Sequence, residues 1–259
     1  MNTQSDNIIY LLWTGGWDST YRLVELSRKE VTVQPIYCCD PGRKSTRQET
    51  DAMNSILQAL TEREETLARF MPIEYVDIRE LPDNPEITNA YRELCKKIHL
   101  GTQYEWLAKL ALKYPGIELG IEKPNGKFGG CTTLIKTFGR LKKENGTIVL
   151  DKENSTEECC LILGNFTFPI LDTTDVDMVQ NIAEWGYEDI MSKIWFCLNP
   201  LNGQPCGMCN PCQQKMKCKM DFLLPPRAHK RFRAVTKANA LFGTFGTKAV
   251  KFLYRIILK

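Results

Sequence analysis

The chain has 259 residues, 43% of them hydrophobic and 25% charged, with a formal charge of +3. That balance excludes a disordered chain, and without a long apolar run it excludes a membrane-spanning one. Eleven cysteines, in a sequence whose start "MNTQSDNIIY" has no basic or apolar leader, point to a reducing cytoplasm and to metal binding before disulfides.

The first element is an apolar run, Ile8 to Trp13, which suits a strand buried on both faces of a parallel sheet. It breaks at Gly15-Gly16, and Asp18, Ser19 and Thr20 then start a helix whose apolar positions are Tyr21, Leu23, Val24 and Leu26. A strand, a glycine turn and a helix N-terminus in that order present backbone amides to an anion. Next come a strand in "VTVQPIYCC", a long helix in "TRQETDAMNSILQALTEREE" and a strand in "IEYVDI". The helix "GTQYEWLAKLALKY" and the strand "GIELGIE" continue the alternation, which predicts an α/β parallel sheet flanked by helices. Lys123 to Lys152 reads as loop, "CCLILGNF" as a core strand, and "DVDMVQNIAEWG" as a helix closed by Gly186.

Cys197, Cys206, Cys209 and Cys212 are spaced C-x8-C-x2-C-x2-C. Two-residue gaps turn successive thiolates onto one ion, so a structural zinc is expected, with an iron–sulfur cluster as the rival. The remaining cysteines, Cys38, Cys39, Cys95, Cys131, Cys159 and Cys160, read as packing, and Cys218 as a spare. With His99 and His229 the only histidines, acid–base chemistry through imidazole has few parts.

Charge is unevenly distributed. No acid follows Asp221, whereas nine Lys and Arg residues do, so the preceding body carries 3 − 9 = −6. The expected organisation is a nucleotide-binding domain at 1–194, a cysteine segment at 195–221 and a basic amphipathic tail at 222–259. Phe242, Phe245, Ala249, Phe252, Leu253, Ile256 and Ile257 can share one face of that tail. Packing on the body or across a homodimer is its first reading; an anionic membrane, giving peripheral attachment, and nucleic acid follow.

Thr14-Gly15-Gly16-Trp17-Asp18-Ser19 closely resembles the SGGxDS loop of the PP-loop ATP pyrophosphatases, whose adenine-nucleotide α-hydrolase-like (HUP) fold the resemblance implies. The added C-x8-C-x2-C-x2-C, with Asp40, Gly42, Arg43, Glu49 and Ala52, is similar to the 7-cyano-7-deazaguanine synthase family. This resemblance implies ATP with Mg²⁺, a structural Zn²⁺, and nucleotide contacts at Trp13, Thr14, Gly15, Gly16, Trp17, Asp18, Ser19, Thr20 and Gly120. It implies catalytic roles for Asp18, Ser19 and Arg43, with Lys136 a further candidate cation. The implied reaction is an ATP-dependent carbon–nitrogen ligation: a carboxylate such as 7-carboxy-7-deazaguanine is adenylated, and ammonia converts it to amide and then nitrile. The sequence departs from the family at Thr102-Gln103 and at Asp175, where Arg-Asn and Lys are usual, and its Tyr, Pro, Asp, Cys and Arg run is not found in Lys123 to Arg140. Two alternatives follow: a related adenylating enzyme acting on another acid or on a protein or nucleic acid, and a non-catalytic adaptor that binds ATP and zinc.

Overall fold

The chain winds outward from its first strand in both directions. In a computed structural model, which describes residues 8–123, 129–217 and 220–257, β1 (Ile8–Leu12), α1 (Trp17–Ser27), β2 (Thr32–Cys39) and α2 (Thr46–Thr61) come first. Two short strands, β3 (Arg69–Phe70) and β4 (Glu74–Asp77), share the outer edge of β2. They are separated at Pro72, which has no amide to donate to a ladder. Helices α3 (Pro85–Lys97) and α4 (Gln103–Lys113) then carry the chain back across β1 to β5 (Ile117–Leu119). There follow α5 (Gly130–Phe138), β6 (Leu141–Glu144), β7 (Thr147–Leu150), α6 (Glu157–Leu163), β8 (Phe166–Thr167), α7 (Asp175–Trp185), α8 (Glu188–Met191), α9 (Asn210–Lys217) and α10 (Pro226–Ile257).

The eight strands form one sheet in the order β3-β2-β1-β5-β8-β7-β6, with β4 also on β2. All pairings from β3 to β8 are parallel; β7 and β6 add an antiparallel edge. Side chains alternate between two cores. Leu11, Val33 and Tyr37 face α1, α2, α7 and α8, whereas Leu12, Ile36 and Cys38 face α3 to α6. The winding reverses direction beside β1, and the crevice beyond the carboxyl ends of β1 and β5 is where such sheets bind ligands.

Two expectations need correction. "CCLILGNF" is helix α6 followed by the two-residue β8, because Thr156 caps the Cys159 amide and starts a helix. A short apolar run does not itself distinguish the two. Lys123 to Lys152 is not simply loop: beyond the undescribed residues 124–128 it holds α5 and a hairpin turning at Asn145-Gly146, both at positive φ. The expected helix ending at Gly186 is present, with a Thr174–Asp177 capping box and Gly186 in the left-handed region.

Candidate active site and metal centre

β1 ends in the glycine loop. The Trp13 amide still donates to the Ile36 carbonyl at 2.9 Å, and its indole Nε1 donates to Thr20 Oγ1 at 3.0 Å in a fully buried pair. Trp13 and Thr20 thus brace the loop from within the core. Gly15 adopts φ +68°, with a built Cβ only 3.1 Å from Met53 Cγ. The loop rests directly on α2, and Glu49 and Ala52 of that helix are the residues beneath it. Gly16 then begins α1 with no side-chain cap, leaving that helix end to be served from outside. Gly120, just after β5, lies against the first turn of α1: a Cβ there would be 3.1 Å from Ser19 N and Cα.

Three carboxylates converge at this point from three elements. Asp18 comes from α1, Glu122 from the segment after β5 and Asp175 from the start of α7. One oxygen of each lies within 4.8 Å of the others, a spacing that can hold a metal ion. Lys215 reaches in from α9, almost fully buried, with Nζ 4.0 Å from Asp175 Oδ1 and 5.0 Å from the centre of the Trp17 ring. Burial raises the Asp18 carboxyl to about 6, against a lowering by Lys215 and a further raise from Asp175. Burial also raises Glu122 to about 8, helped by the charge of Asp18 and by the neighbouring Asp175. Glu122 Oε2, Asp175 Oδ1 and the Trp17 indole nitrogen are buried without a hydrogen-bond partner. Three carboxylates against one ammonium leave a net charge of −2 when all are ionised, which one divalent cation cancels.

Arg43 is held at 2.8 Å by Glu49, which also accepts from Ser45 and Tyr37 at 2.6 and 2.9 Å. Its charge is therefore tied to α2, directly below Gly15. Lys136 is exposed on α5. The cation brought among the carboxylates is Lys215, and neither it nor Glu122 belongs to a motif legible in the sequence. The signals were faint: Glu122 sits two positions after Gly120, and Lys215 lies three after Cys212, nearly one helical turn.

Cys197, Cys206, Cys209 and Cys212 gather their sulfurs within 4.8 Å of one another, all largely buried. The Cys206–Cys212 and Cys197–Cys209 sulfur pairs are each 3.9 Å apart. A tetrahedral ion with bonds of about 2.3 Å places its ligands about 3.8 Å apart, so the set fits a zinc-sized ion. Backbone amides of Met208 and Cys209 donate to Cys206 Sγ at 3.3 and 3.2 Å, and that of Cys206 to Cys197 Sγ at 3.2 Å. Such donors favour thiolates. The neighbouring thiols, Cys197 foremost, and the Met208 amide hold Cys206 well below the usual thiol range. Gly207, at φ +72°, lets the backbone of Ala228 approach where a Cβ would collide with its carbonyl. Arg231 is buried and donates to the Cys206 and Pro205 carbonyls at 2.7 and 3.0 Å. The start of the basic tail thus shares a core with the cysteines, and Arg231 serves there as a bracket. Of the other cysteines, Cys38, Cys131 and Cys159 are buried, Cys39 and Cys160 half-buried, and Cys95 exposed; Cys218 lies outside the described residues.

Fold and site define an α/β protein with a mainly parallel sheet, a glycine loop and carboxylate–lysine cluster at the winding reversal, and a four-cysteine cluster able to bind a metal ion. No protein-family model matches the chain, and no curated protein matches it significantly.

Proposed function

We propose that the protein is an ATP-dependent adenylating ligase of PP-loop type, with ammonia as acceptor and 7-carboxy-7-deazaguanine as the first acid to consider. The observation that carries this reading is the coincidence of the loop at Gly15 and Gly16 with the Asp18, Glu122, Asp175 and Lys215 cluster at one end of the sheet. Asp18, Glu122 and Asp175 are suited to Mg²⁺, which when bound neutralises phosphate charge. Lys215 supplies the remaining positive charge, while the loop amides with Thr14 and Ser19 receive pyrophosphate. The four cysteines hold zinc and fold the segment that carries Lys215.

A carboxylate resists ammonia because its oxygen is a poor leaving group. Attack of that oxygen on the α-phosphorus forms the acyl adenylate and expels pyrophosphate. Ammonia adds to the carbonyl, AMP leaves with the acid's oxygen, and a proton is released to give the amide. A second ATP adenylates the amide oxygen and expels pyrophosphate; loss of AMP and of both nitrogen protons leaves the nitrile. Both acid oxygens therefore depart in AMP. The site's part is to position the reactants and neutralise charge, for which no histidine is required.

A second reading, in which another acid or a macromolecular acceptor is used, is favoured by Asp175. A carboxylate replaces the lysine usual in the resembling family, and the cation arrives from α9 instead. Carboxyl-¹⁸O-labelled 7-carboxy-7-deazaguanine, incubated with protein, ATP, Mg²⁺ and ammonium, tests the leading reading. Label in AMP together with the amide or nitrile supports it. Unlabelled AMP means hydrolysis by water, and absence of both products turns the search to the second reading.

A further inference from the structure

The tail contains a surface that the proposed ligase chemistry does not use. α10 is not one rod: Gly243, at φ 59° and ψ −147°, interrupts it. A Cβ at Gly246 would lie 2.6 Å from the Ala238 carbonyl oxygen. Eight residues of straight helix would separate the two by about 12 Å, so the chain turns back on itself. Thr247 Oγ1 donates to Asn239 Oδ1 at 3.1 Å across the turn. Val235, Val250 and Tyr254 face inward onto the cysteine core, which seats the hairpin on the body.

Leu241, Phe242, Phe245, Phe252, Leu253 and Ile256, none of them in that core, fall within sixteen positions of the hairpin and are each between 56% and 80% exposed. Large side chains clustered in this way, rather than scattered, mark a surface that meets another apolar phase. On the same helix Arg227, Lys230, Arg233, Lys237 and Lys248 are exposed, with no acidic partner among the described residues. No acid at all follows Asp221.

We propose that this face of the α10 hairpin docks onto an anionic phospholipid bilayer. Apolar side chains flanked by unpaired cations match acyl chains beneath negative headgroups, and lysine stems can reach from one layer to the other. A second copy of the tail would set cations against cations. Nucleic acid would neutralise the lysines but leave Leu241, Leu253 and Ile256 in water. Each arm, 226–242 or 244–257, reaches about 20–26 Å, less than the ~30 Å hydrocarbon core, and among the described residues no helix is long and apolar enough to cross a membrane. The hairpin therefore lies in the interface.

The test is flotation of the full-length, metal-loaded protein with vesicles of phosphatidylcholine alone or mixed with phosphatidylserine. Truncation is unsuitable, because Ala228 and Arg231 pack against the cysteine segment. The variants are Phe242→Ser/Phe245→Ser/Phe252→Ser and Lys237→Glu/Lys248→Glu, all at exposed positions. The expected result is flotation of wild type with the anionic vesicles, reduced by salt, and at least about a tenfold loss of partitioning in either variant. Wild type that stays soluble with both vesicles, or floats no better than the serine variant, overturns the proposal. So does a dimer in sedimentation that the serine variant dissolves, or tail-dependent RNA binding without vesicle binding.

Discussion

The backbone amide of Trp195 donates a 2.8 Å hydrogen bond to the carbonyl of Gly15. This bond ties the start of the cysteine segment to the glycine loop, and the Trp195 indole continues the link by donating to the Cys197 carbonyl at 2.8 Å. On the other side of the cluster, Cys212 and Lys215 share α9. The four cysteines and the carboxylate cluster are therefore mechanically one unit.

On the proposed function, loss of a metal from the cysteines should reach the proposed nucleotide site. Cys212→Ser is expected to bind less than one zinc per chain, measured by elemental analysis. Its melting temperature should fall by more than about 10 °C, because zinc-site free energy is folding free energy. ATP affinity should fall with it. A variant that loses zinc while keeping both stability and ATP affinity would separate the two sites.

Lys215 is the cation that the geometry places among the carboxylates. Lys215→Met should weaken ATP binding by about 10- to 100-fold in calorimetry, with Lys215→Arg recovering part of the loss. Since Lys215 lowers the carboxyls of Asp18 and Glu122, its removal should also move Mg²⁺ binding to higher pH. Arg43→Met, whose charge is tied to Glu49, should have the smaller effect on ATP.

The carboxyls impose a pH dependence of known sign. Asp18 is raised from 3.8 to about 6 and Glu122 from 4.5 to about 8. The folded protein keeps protons that the unfolded chain has lost, so their contribution to stability declines as pH rises from about 4 to about 8. Mg²⁺ requires the ionised forms. Its thermal stabilisation should grow across the same window, with proton release on binding; equal stabilisation at pH 5 and pH 8 would contradict the assignment.

Close approach makes two glycines sensitive. Gly120→Ala introduces a Cβ 3.1 Å from the Ser19 backbone, and Gly15→Ala combines φ +68° with contact to Met53. Each should cost about 1–3 kcal/mol in denaturant unfolding. Gly120→Ala should also reduce ATP affinity, because it displaces the first turn of α1. Gly146→Ala, in the distant hairpin at φ +79° with open space around it, serves as a control that shifts stability alone.

Legibility in the sequence followed the strength of local signals. The run from Ile8 to Ser19 joins a two-sided apolar strand, a glycine pair and helix-starting residues, so β1, the loop and α1 could be read together. The cysteine spacing likewise leads to the observed cluster. α6 reads as a strand because "CCLIL" is short and apolar, and the residue that makes it a helix is its cap, Thr156. α3 has one local mark in the sequence, Asn84-Pro85, a cap followed by proline at the first helical position. The β6–β7 hairpin was hidden by its lysine-rich exposed strand, with only Asn145-Gly146 to mark it. Glu122 and Lys215 meet through tertiary folding alone, across more than ninety positions of sequence.

The most direct measurement of the adenylation claim is the formation of AMP and pyrophosphate by purified zinc-loaded protein with ATP, Mg²⁺, ammonium and 7-carboxy-7-deazaguanine. An Asp18→Ala/Ser19→Ala variant controls for contaminating synthetases. The expected result is AMP and pyrophosphate in equal amounts, dependent on the acid, matched by amide or nitrile in mass spectrometry and lost in the variant. ATP binding without AMP for any carboxylic acid tested, or AMP production that the double variant retains, would contradict it.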